Sequence, residues 1–415
     1  MLAATGALVG LSFINAAQIY AEASGYNGTA DGVGAVFSPL VGIWAPTFSA
    51  YELIAAFLFP FVVIRVVGGD RQSGALKLEL QQRLSPIERI GAKALVLLAA
   101  WMVALLPALL AAALWTSYGG ATYAPEIATV VLGHLLNAGL TIALGAAAAS
   151  LAEHPSTAAI ITLAVTVGTW VISFIAALHG GWWDQVAAFT PPALVAQFQH
   201  GLIRLDVLLA SLALIVFGLA LAAIWMRLGV PTRRRAIESL GALAVTSAAL
   251  ALCSVARPNW DLSENRQNSF SDADEATLSQ ITTPLHIEAH FAPEDARRYE
   301  LEQMTLSKLR RVMPHVTVRY VSRTSVGLYE QNTEHYGEII YTLGRTQNTS
   351  RIVTTEGVLE TIYALAGVTP AVESNEDIFR GHPLAVPPRN AGVVFYGMWP
   401  ALIAAGAFIT YRRQS

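Results

Sequence analysis

Long runs of apolar residues, interrupted by short polar segments, occupy most of this chain. A helix needs about 20 mainly apolar residues to cross a bilayer. Runs of that kind lie at residues 2–20, 50–67, 94–115, 127–150, 157–178, 205–226, 238–256 and 391–411. The first run lacks the positively charged n-region of a signal peptide, so we expect it to be an uncleaved span. The pattern predicts an α-helical polytopic membrane protein with about eight transmembrane helices.

The polar block 257–390 has a different pattern. Segments in which apolar and polar residues alternate are separated by segments with the pattern of a helix. Apolar residues alternate strictly over 285–291, which is typical of a half-buried strand, and 293–313 has the pattern of a helix with Pro293 at its start. Further strands are expected at 315–321, 338–344 and 351–355, and a further helix at 355–367, ending at Gly367. Strands that alternate with helices indicate an α/β domain.

These patterns divide the chain into three parts. Residues 1–256 are expected to form a transmembrane domain with six core spans plus a seventh. Residues 257–390 form an inserted α/β domain, and 391–415 form a C-terminal transmembrane helix with a short tail.

Composition agrees with a membrane protein and argues against two other classes. The chain of 415 residues is 54% hydrophobic and 13% charged, whereas soluble domains carry roughly 25% charged residues. The net charge is −3, and no basic run is longer than Arg233–Arg235, so nucleic-acid binding has no support. Cys253 is the single cysteine, which excludes an intrachain disulfide and a cysteine-based metal site.

Lysine and arginine fall on one side of the predicted spans. Loop 65–93 contains six, loop 227–237 contains four, and two more follow the last span. The short loops on the other side contain none: 21–49, 116–126 and 179–203. Basic residues concentrate in cytoplasmic loops, so we expect both termini to be cytoplasmic and residues 257–390 to be extracytoplasmic.

The segment 68–93, GGDRQSGALKLELQQRLSPIERIGAK, is the most polar part of the first half of the chain. Residues 75–84 are good helix formers, and we expect this helix to end at Ser85-Pro86. A partly apolar face is formed by Leu76, Leu80 and Leu84. By pattern alone, such a helix fits an interfacial anchor that lies parallel to the membrane.

Three short motifs of this segment resemble the signature of ABC-2 type permeases: Asp70-Arg71-x-Ser73-Gly74-Ala75-Leu76, Leu84-Ser85-Pro86-Ile87-x-Arg89 and Gly91-x-Lys93. Ala75 and Lys77 replace the usual Thr and Glu. In that family the segment is a coupling helix that docks on a cytoplasmic ATPase, and residues 2–226 fit the six core spans. The resemblance implies an ATPase-coupling site formed by Asp70, Arg71, Gly74, Leu76, Leu80, Arg83, Pro86, Arg89 and Lys93.

The sequence contains no GxxxxGK[ST] phosphate-binding loop. ATP and Mg²⁺ are therefore expected on a separate ATPase subunit, with no cofactor on this chain. It also contains no HExxH or paired-carboxylate motif, so we do not expect an enzyme. The other expected partners are membrane lipid and a second permease, in a homodimer or heterodimer.

The block 257–390 contains a second set of motifs: Asn259, Asp261-Leu262-Ser263, Phe270-Ser271, Thr277-Leu278, 336–340, 355–359 and Gly381-His382-Pro383-Leu384. At these positions the block resembles the auxiliary subunit of gliding-motility-type ABC transporters. In that family they belong to an extracytoplasmic domain, which is usually much longer. The chain thus resembles a permease fused to such a subunit.

Polar residues within the predicted spans are candidates for a translocation path. The candidates are His134 and Asn137 in the fourth span and, as one helical stripe in the fifth span, Thr162, Thr166, Thr169 and Ser173. Hydroxyl stripes are also common where helices pack in membranes, so both interpretations stay open. Three carboxylates are expected at span ends, where the interface tolerates them: Glu52, Glu126 and Asp206.

His286, Glu288 and His290 lie on one face of the predicted strand 285–291, a spacing that could hold a metal ion. The solvent-facing side of any half-exposed strand gives the same pattern, so we expect a solvated face and no metal site.

The expected function is that of the permease subunit of an ABC-2 type exporter in the bacterial plasma (inner) membrane, which moves an unidentified substrate with the aid of a separate ATPase. The alternative is a non-transporting mechanotransmitter, which would couple ATP hydrolysis to an outer partner in surface motility or metalloenzyme maturation.

Overall fold

The computed structural model describes residues 1–26, 38–73, 84–179, 182–227, 229–256, 258–292, 295–313, 315–321, 335–369, 379, 381–384 and 389–414. The chain divides into two compact units. The first comprises Met1–Ser173, Gln185–Asn265 and Arg380–Ser415, and the second comprises Phe174–Asp184 and Arg266–Phe379.

Within the described residues, eight helical segments are long and apolar enough to cross a membrane. They are Leu2–Ser24, Leu40–Gly69, Pro86–Ser117, Ala124–Leu151, Pro155–Ala176, Leu205–Trp225, Thr232–Cys253 and Ala391–Arg412. The predicted number of candidate spans is therefore confirmed. The second and third segments, with 30 and 32 residues, are longer than predicted because polar or proline-containing turns extend their apolar cores.

The first unit begins with α1 (Leu2–Tyr26) and two interrupted helices. A π-helical turn at Leu40–Trp44 leads into α2 (Ala45–Phe57) and α3 (Phe59–Ser73), and α4 (Pro86–Ala104) is followed by α5 (Leu106–Ser117). Each interruption lies next to a proline, Pro60 or Pro107, in the first turn of the next helix. The N–H groups of a first helical turn have no partner within the helix, so proline, which lacks an N–H group, is tolerated there. In a helix interior the same lack removes a hydrogen bond, so the preceding helix ends just before each proline.

The chain continues with α6 (Ala124–Leu151), α7 (Pro155–His179), α8 (Trp182–Ala187), α9 (Pro191–Gln199), β1 (Leu202–Arg204), α10 (Leu205–Trp225), α11 (Thr232–Cys253) and β2 (Asn259–Asp261). All of these belong to the first unit except the end of α7 and the start of α8, which fall in Phe174–Asp184. Helix α6 is the most central, because it packs against α2, α3, α4, α9 and α10. Strands β1 and β2 pair antiparallel.

The first and last spans meet through two glycines. The last span consists of α16 (Ala391–Val393), a π-helical turn at Val394–Met398 and α17 (Trp399–Gln414). Gly6 and Gly10, one turn apart on α1, lie against Trp399 and Phe395. A Cβ atom on Gly10 would stand 2.5 Å from the Phe395 side chain, so small residues allow this close approach, as is common in membranes.

The second unit contains a four-stranded mixed sheet. Its elements are α12 (Asp272–Ser279), β3 (Leu285–Ala289), α13 (Ala296–Leu301), a π-helical turn at Glu302–Leu306, α14 (Ser307–Val312), β4 (Val316–Tyr320), β5 (Ile339–Leu343), β6 (Thr346–Ser350) and α15 (Thr355–Ala366). The strand order is β4-β3-β5-β6, with β3 parallel to β4 and antiparallel to β5. Leu285, Ile287 and Ala289 are buried beneath the sheet, as their alternation predicts.

The predicted strand at 351–355 is wrong. The strand lies at Thr346–Ser350, because the turn at Gly344, with φ +62°, returns the chain directly alongside β5. This strand is exposed and polar, so it lacks an alternating apolar signal. Thr354 instead caps α15, and its hydroxyl accepts a hydrogen bond from the Gly357 N–H. Helix α15 ends at Gly367 in a left-handed conformation, as predicted.

Candidate functional site

The predicted ATPase-coupling residues lie within, and on both sides of, a segment that the structure does not describe. Helix α3 continues past the apolar span to Ser73, so Asp70 and Arg71 belong to its last turn. Gly74, Leu76, Leu80 and Arg83 lie outside the described residues, as does nearly all of the predicted helix 75–84. The other three predicted residues are in the first turns of α4: Pro86, Arg89 and Lys93.

Helix α4 begins with a complete capping box. The Ser85 hydroxyl accepts from the Glu88 N–H at 3.3 Å, and the Ser85 N–H donates to Glu88 Oε2 at 2.6 Å. The Arg89 guanidinium donates to the Leu84 carbonyl at 3.1 Å, which fixes the entry into the helix. Ser85-Pro86 was predicted to end the preceding helix, but its observed role is to start the next one, since proline is favoured at the first helical position.

A cavity of about 320 Å³ lies within the first unit, between α2, α6, α7, α10 and the first turns of α9. Three of the predicted path residues line it: Asn137, Thr166 and Thr169. The other three are not among its described lining residues: His134, Thr162 and Ser173. The structure therefore brings half of the predicted set together at one cavity.

The hydroxyl groups of this stripe bond within their own helix. Thr162 donates to the Ala158 carbonyl at 2.9 Å, Thr166 to the Thr162 carbonyl at 2.9 Å, and Thr169 to the Thr166 carbonyl at 2.7 Å. Ser173 donates to the Thr169 carbonyl at 3.1 Å, and its oxygen lies 3.2 Å from the Thr190 oxygen. Because the protons are engaged, the hydroxyl oxygens that face the cavity can act as acceptors.

Glu52, Gln199 and His134 form a polar cluster beside the cavity. Gln199 Nε2 donates to Glu52 Oε1 at 2.6 Å and lies 3.3 Å from His134 Nε2. The His134 ring is fully buried, with ring centroids of Phe48 and Tyr51 at 5.2 and 5.9 Å. Its Nδ1 atom has no hydrogen-bond partner among the described residues.

Two members of this cluster were missed by the sequence analysis. Glu52 was expected at a span end, but it is the thirteenth residue of the 30-residue segment Leu40–Gly69, so that expectation is wrong. Gln199 lies outside every predicted span, yet α9 packs against α6 and buries its side chain. A carboxylate within a long apolar run was the available signal for Glu52.

A second polar cluster, formed by Tyr20, Glu126, Glu264 and His382, joins four distant parts of the first unit. The Glu264 N–H donates to Glu126 Oε1 at 2.8 Å, and His382 Nε2 lies 3.0 Å from both carboxylate oxygens of Glu264. The Tyr20 hydroxyl donates to the His382 carbonyl at 2.7 Å. Glu126 begins a span as expected, but it is only 1% exposed, so interface tolerance does not explain it.

Asp206 lies at the start of α10 and forms an ion pair with Arg204 at 2.5 Å. In the second unit, His286 is exposed, and His290 Nε2 lies 3.4 Å from Glu288 Oε1. Over the part of the chain that the structure describes, no group of three or more His, Cys, Asp or Glu residues could hold a metal ion.

No protein-family model, curated protein or solved structure matches this chain.

Proposed function

We propose that this chain is the membrane permease subunit of an ABC-2 type exporter, driven by ATP hydrolysis on a separate cytoplasmic ATPase. In this proposal it resides in the bacterial plasma (inner) membrane with both termini cytoplasmic and residues 257–390 outside. Support for the orientation comes from the one-sided distribution of lysine and arginine.

The observation that carries the proposal is the basic, amphipathic segment between α3 and α4. A permease that takes work from a soluble ATPase needs a polar element connected to its spans. Helix α3 extends beyond its apolar span to Ser73, and α4 starts at a capping box, so both ends of the segment 74–84 continue into long helices. Because α3 and α4 pack against α6, a displacement of the segment would be transmitted to α6, one of the helices that line the cavity.

The start of α4 offers a mixed surface for such contact. Leu84 and Ile87 are 45% and 52% exposed, although both are apolar, and basic residues surround them in the sequence. Exposed apolar patches rimmed by polar residues mark sites that bind a partner, and we propose that these two side chains contribute to one.

Affinity purification of the chain from its native membranes tests this proposal. We expect a P-loop ATPase to co-purify, in an amount that falls with salt concentration because exposed charges are screened. Arg71→Glu and Arg83→Glu should reduce the recovered ATPase several-fold, whereas Arg412→Glu, a charge reversal after the last span, should not. Recovery of the wild-type chain without any ATPase would contradict the proposal.

The alternative function, a non-transporting mechanotransmitter, is favoured by the cluster of Tyr20, Glu126, Glu264 and His382. In the sequence, Glu264 lies just before and His382 just after the segment Arg266–Phe379 of the second unit. Hydrogen bonds connect Glu264 to Glu126 of α6 and His382 to Tyr20 of α1. Movement of these helices would displace both chain segments. ATPase activity in proteoliposomes that rises only on addition of an outer protein would support this alternative over export.

A further inference from the structure

We infer that the cavity in the first unit binds one amphiphilic amine, with an apolar body among the helices and an ammonium group at Glu52. The inference deepens the proposed function, since it names the chemical class of cargo, but the binding itself requires no ATPase. It is carried by the size, the polar groups and the charge of the cavity.

The volume indicates an organic ligand. At about 320 Å³, the cavity reaches the size of small-molecule sites, which start at roughly 300 Å³. A single metal ion would leave most of this space empty. Most of the wall is apolar, with large side chains such as Leu140, Leu144, Trp170, Phe217 and Leu221.

The polar part of the wall presents hydrogen-bond acceptors. Thr141, Thr166 and Thr169 line the cavity and donate their protons to carbonyl groups of their own helices, at 2.7 to 2.9 Å. Their oxygens therefore remain available as acceptors. Asn137 adds an amide, which can accept through its oxygen. A ligand that donates several hydrogen bonds is the complement of this wall.

The only charge that the described wall can carry is negative. Glu52 is the only ionisable residue among the described residues that line the cavity. It receives one hydrogen bond from Gln199, a neutral group that provides no balancing charge. A carboxylate at membrane depth is costly unless a cation neutralises it, and an ammonium group supplies both the charge and the donors. Trp170 adds an aromatic face that can attract a cation.

An anionic or neutral ligand fits less well. No Lys, Arg or His residue occurs among the described lining residues, so a carboxylate or phosphate group would meet a like charge at Glu52 and no cation to balance it. A neutral lipid chain could fill the apolar part, but it would leave Glu52 without a counter-charge. We therefore expect the cavity to bind an amine more tightly than a neutral analogue of the same shape.

The test measures binding of radiolabelled 4-phenylbutylamine to the full chain in nanodiscs, with empty nanodiscs as the partition control. We expect saturable binding of one molecule per chain. Glu52→Gln, which retains the shape of the side chain, should weaken binding at least about tenfold, because the loss of a hydrogen bond to a charged group lowers affinity by about that factor. Asp206→Asn, which removes a carboxylate outside the cavity, should bind as the wild type does.

Two further measurements test whether the ligand occupies the cavity and whether its charge is required. Thr166→Phe, which fills the cavity without altering Glu52, should also abolish saturable binding, and unlabelled 4-phenylbutanol should compete at least about tenfold more weakly than the amine. Equal binding by Glu52→Gln, equal competition by the alcohol, or no saturable binding to the wild type would overturn the inference. If the amine binds but no ATPase co-purifies, the proposed function fails while the inference stands.

Discussion

Gln199 Nε2 donates a hydrogen bond of 2.6 Å to Glu52 Oε1, although 147 positions separate the two residues in the sequence. The bond joins α9, a short helix between two spans, to the middle of the second span. It holds a carboxylate at the wall of the cavity, so the local fold and the proposed site depend on the same contact.

Gln199→Leu should therefore destabilise the first unit. The substitution removes a donor from a half-buried carboxylate, and a lost bond to a charged group costs about 1–3 kcal/mol. The double variant Glu52→Leu/Gln199→Leu should lose less than the two single variants combined, because both groups belong to one interaction. Chemical unfolding of the four chains in detergent measures this coupling, and strictly additive losses would show that the bond contributes nothing.

The contact between the first and last spans should depend on Gly10. Gly10→Leu would force Phe395 out of position, and overpacking of this kind costs about 1–3 kcal/mol. Gly406→Leu is the matched control, because an added Cβ atom on Gly406 of α17 would meet no atom of the described residues within 4 Å outside its own helix backbone. We expect a lower thermal midpoint for Gly10→Leu alone. Equal midpoints for the two variants would contradict this packing.

In the second unit, Asp295 should contribute to stability in a pH-dependent way. The Arg297 guanidinium donates to its carboxylate at 2.8 Å and lowers the pKa of Asp295 to about 2, and the Tyr336 hydroxyl also donates at 2.6 Å. An unfolded Asp has a pKa of about 3.9. The contribution is thus complete above that value and is lost as the pH falls from about 4 to about 2.

Asp295→Asn tests this dependence. The variant should unfold more easily than the wild type at neutral pH, and the difference should shrink as the pH falls through the window from about 4 to about 2. Thermal unfolding of both full chains across this range is the measurement. A difference that is unchanged at the lowest pH would exclude the ionised carboxylate as its cause.

The cluster around Glu126 predicts a ranking of three variants. Glu126→Ala should cost about 1–3 kcal/mol, because it leaves the Glu264 N–H without its acceptor. Glu126→Gln retains an acceptor oxygen and should cost less. His382→Ala should cost about 1 kcal/mol or less, since the His382 and Glu264 side chains are about a third exposed, at 35% and 32%. Chemical unfolding gives the order, and a larger loss for His382→Ala than for Glu126→Ala would contradict it.

Local patterns in the sequence were sufficient for many elements of the fold. The alternation of Leu285, Ile287 and Ala289 predicted β3, and Gly367 predicted the end of α15, because each signal acts on neighbouring residues. The capping box at Ser85 and Glu88 was also readable, since a serine three residues before a glutamate marks a helix start. Its proline was instead interpreted as the end of the preceding helix.

Contacts between distant residues could not be predicted in this way. The pairing of β1 with β2 and the bond between Gln199 and Glu52 depend on how helices pack, which no periodicity encodes. The hydroxyl stripe at Thr166 and Thr169 was identified from helical spacing, but its place at a cavity emerged only from the arrangement of α2, α6, α7 and α10.

In the proposed function, the segment between α3 and α4 couples the spans to an ATPase. The most direct measurement is the ATPase activity of the complex that co-purifies with wild-type, Leu80→Pro and Leu80→Ala chains from the same membranes. Proline inside a helix costs about 3 kcal/mol, whereas alanine is the best helix former. We expect Leu80→Pro to insert normally and lose the ATPase, while Leu80→Ala retains most of it. A Leu80→Pro chain that inserts normally and keeps the ATPase at wild-type activity would contradict the claim, and the segment would then be an interfacial anchor.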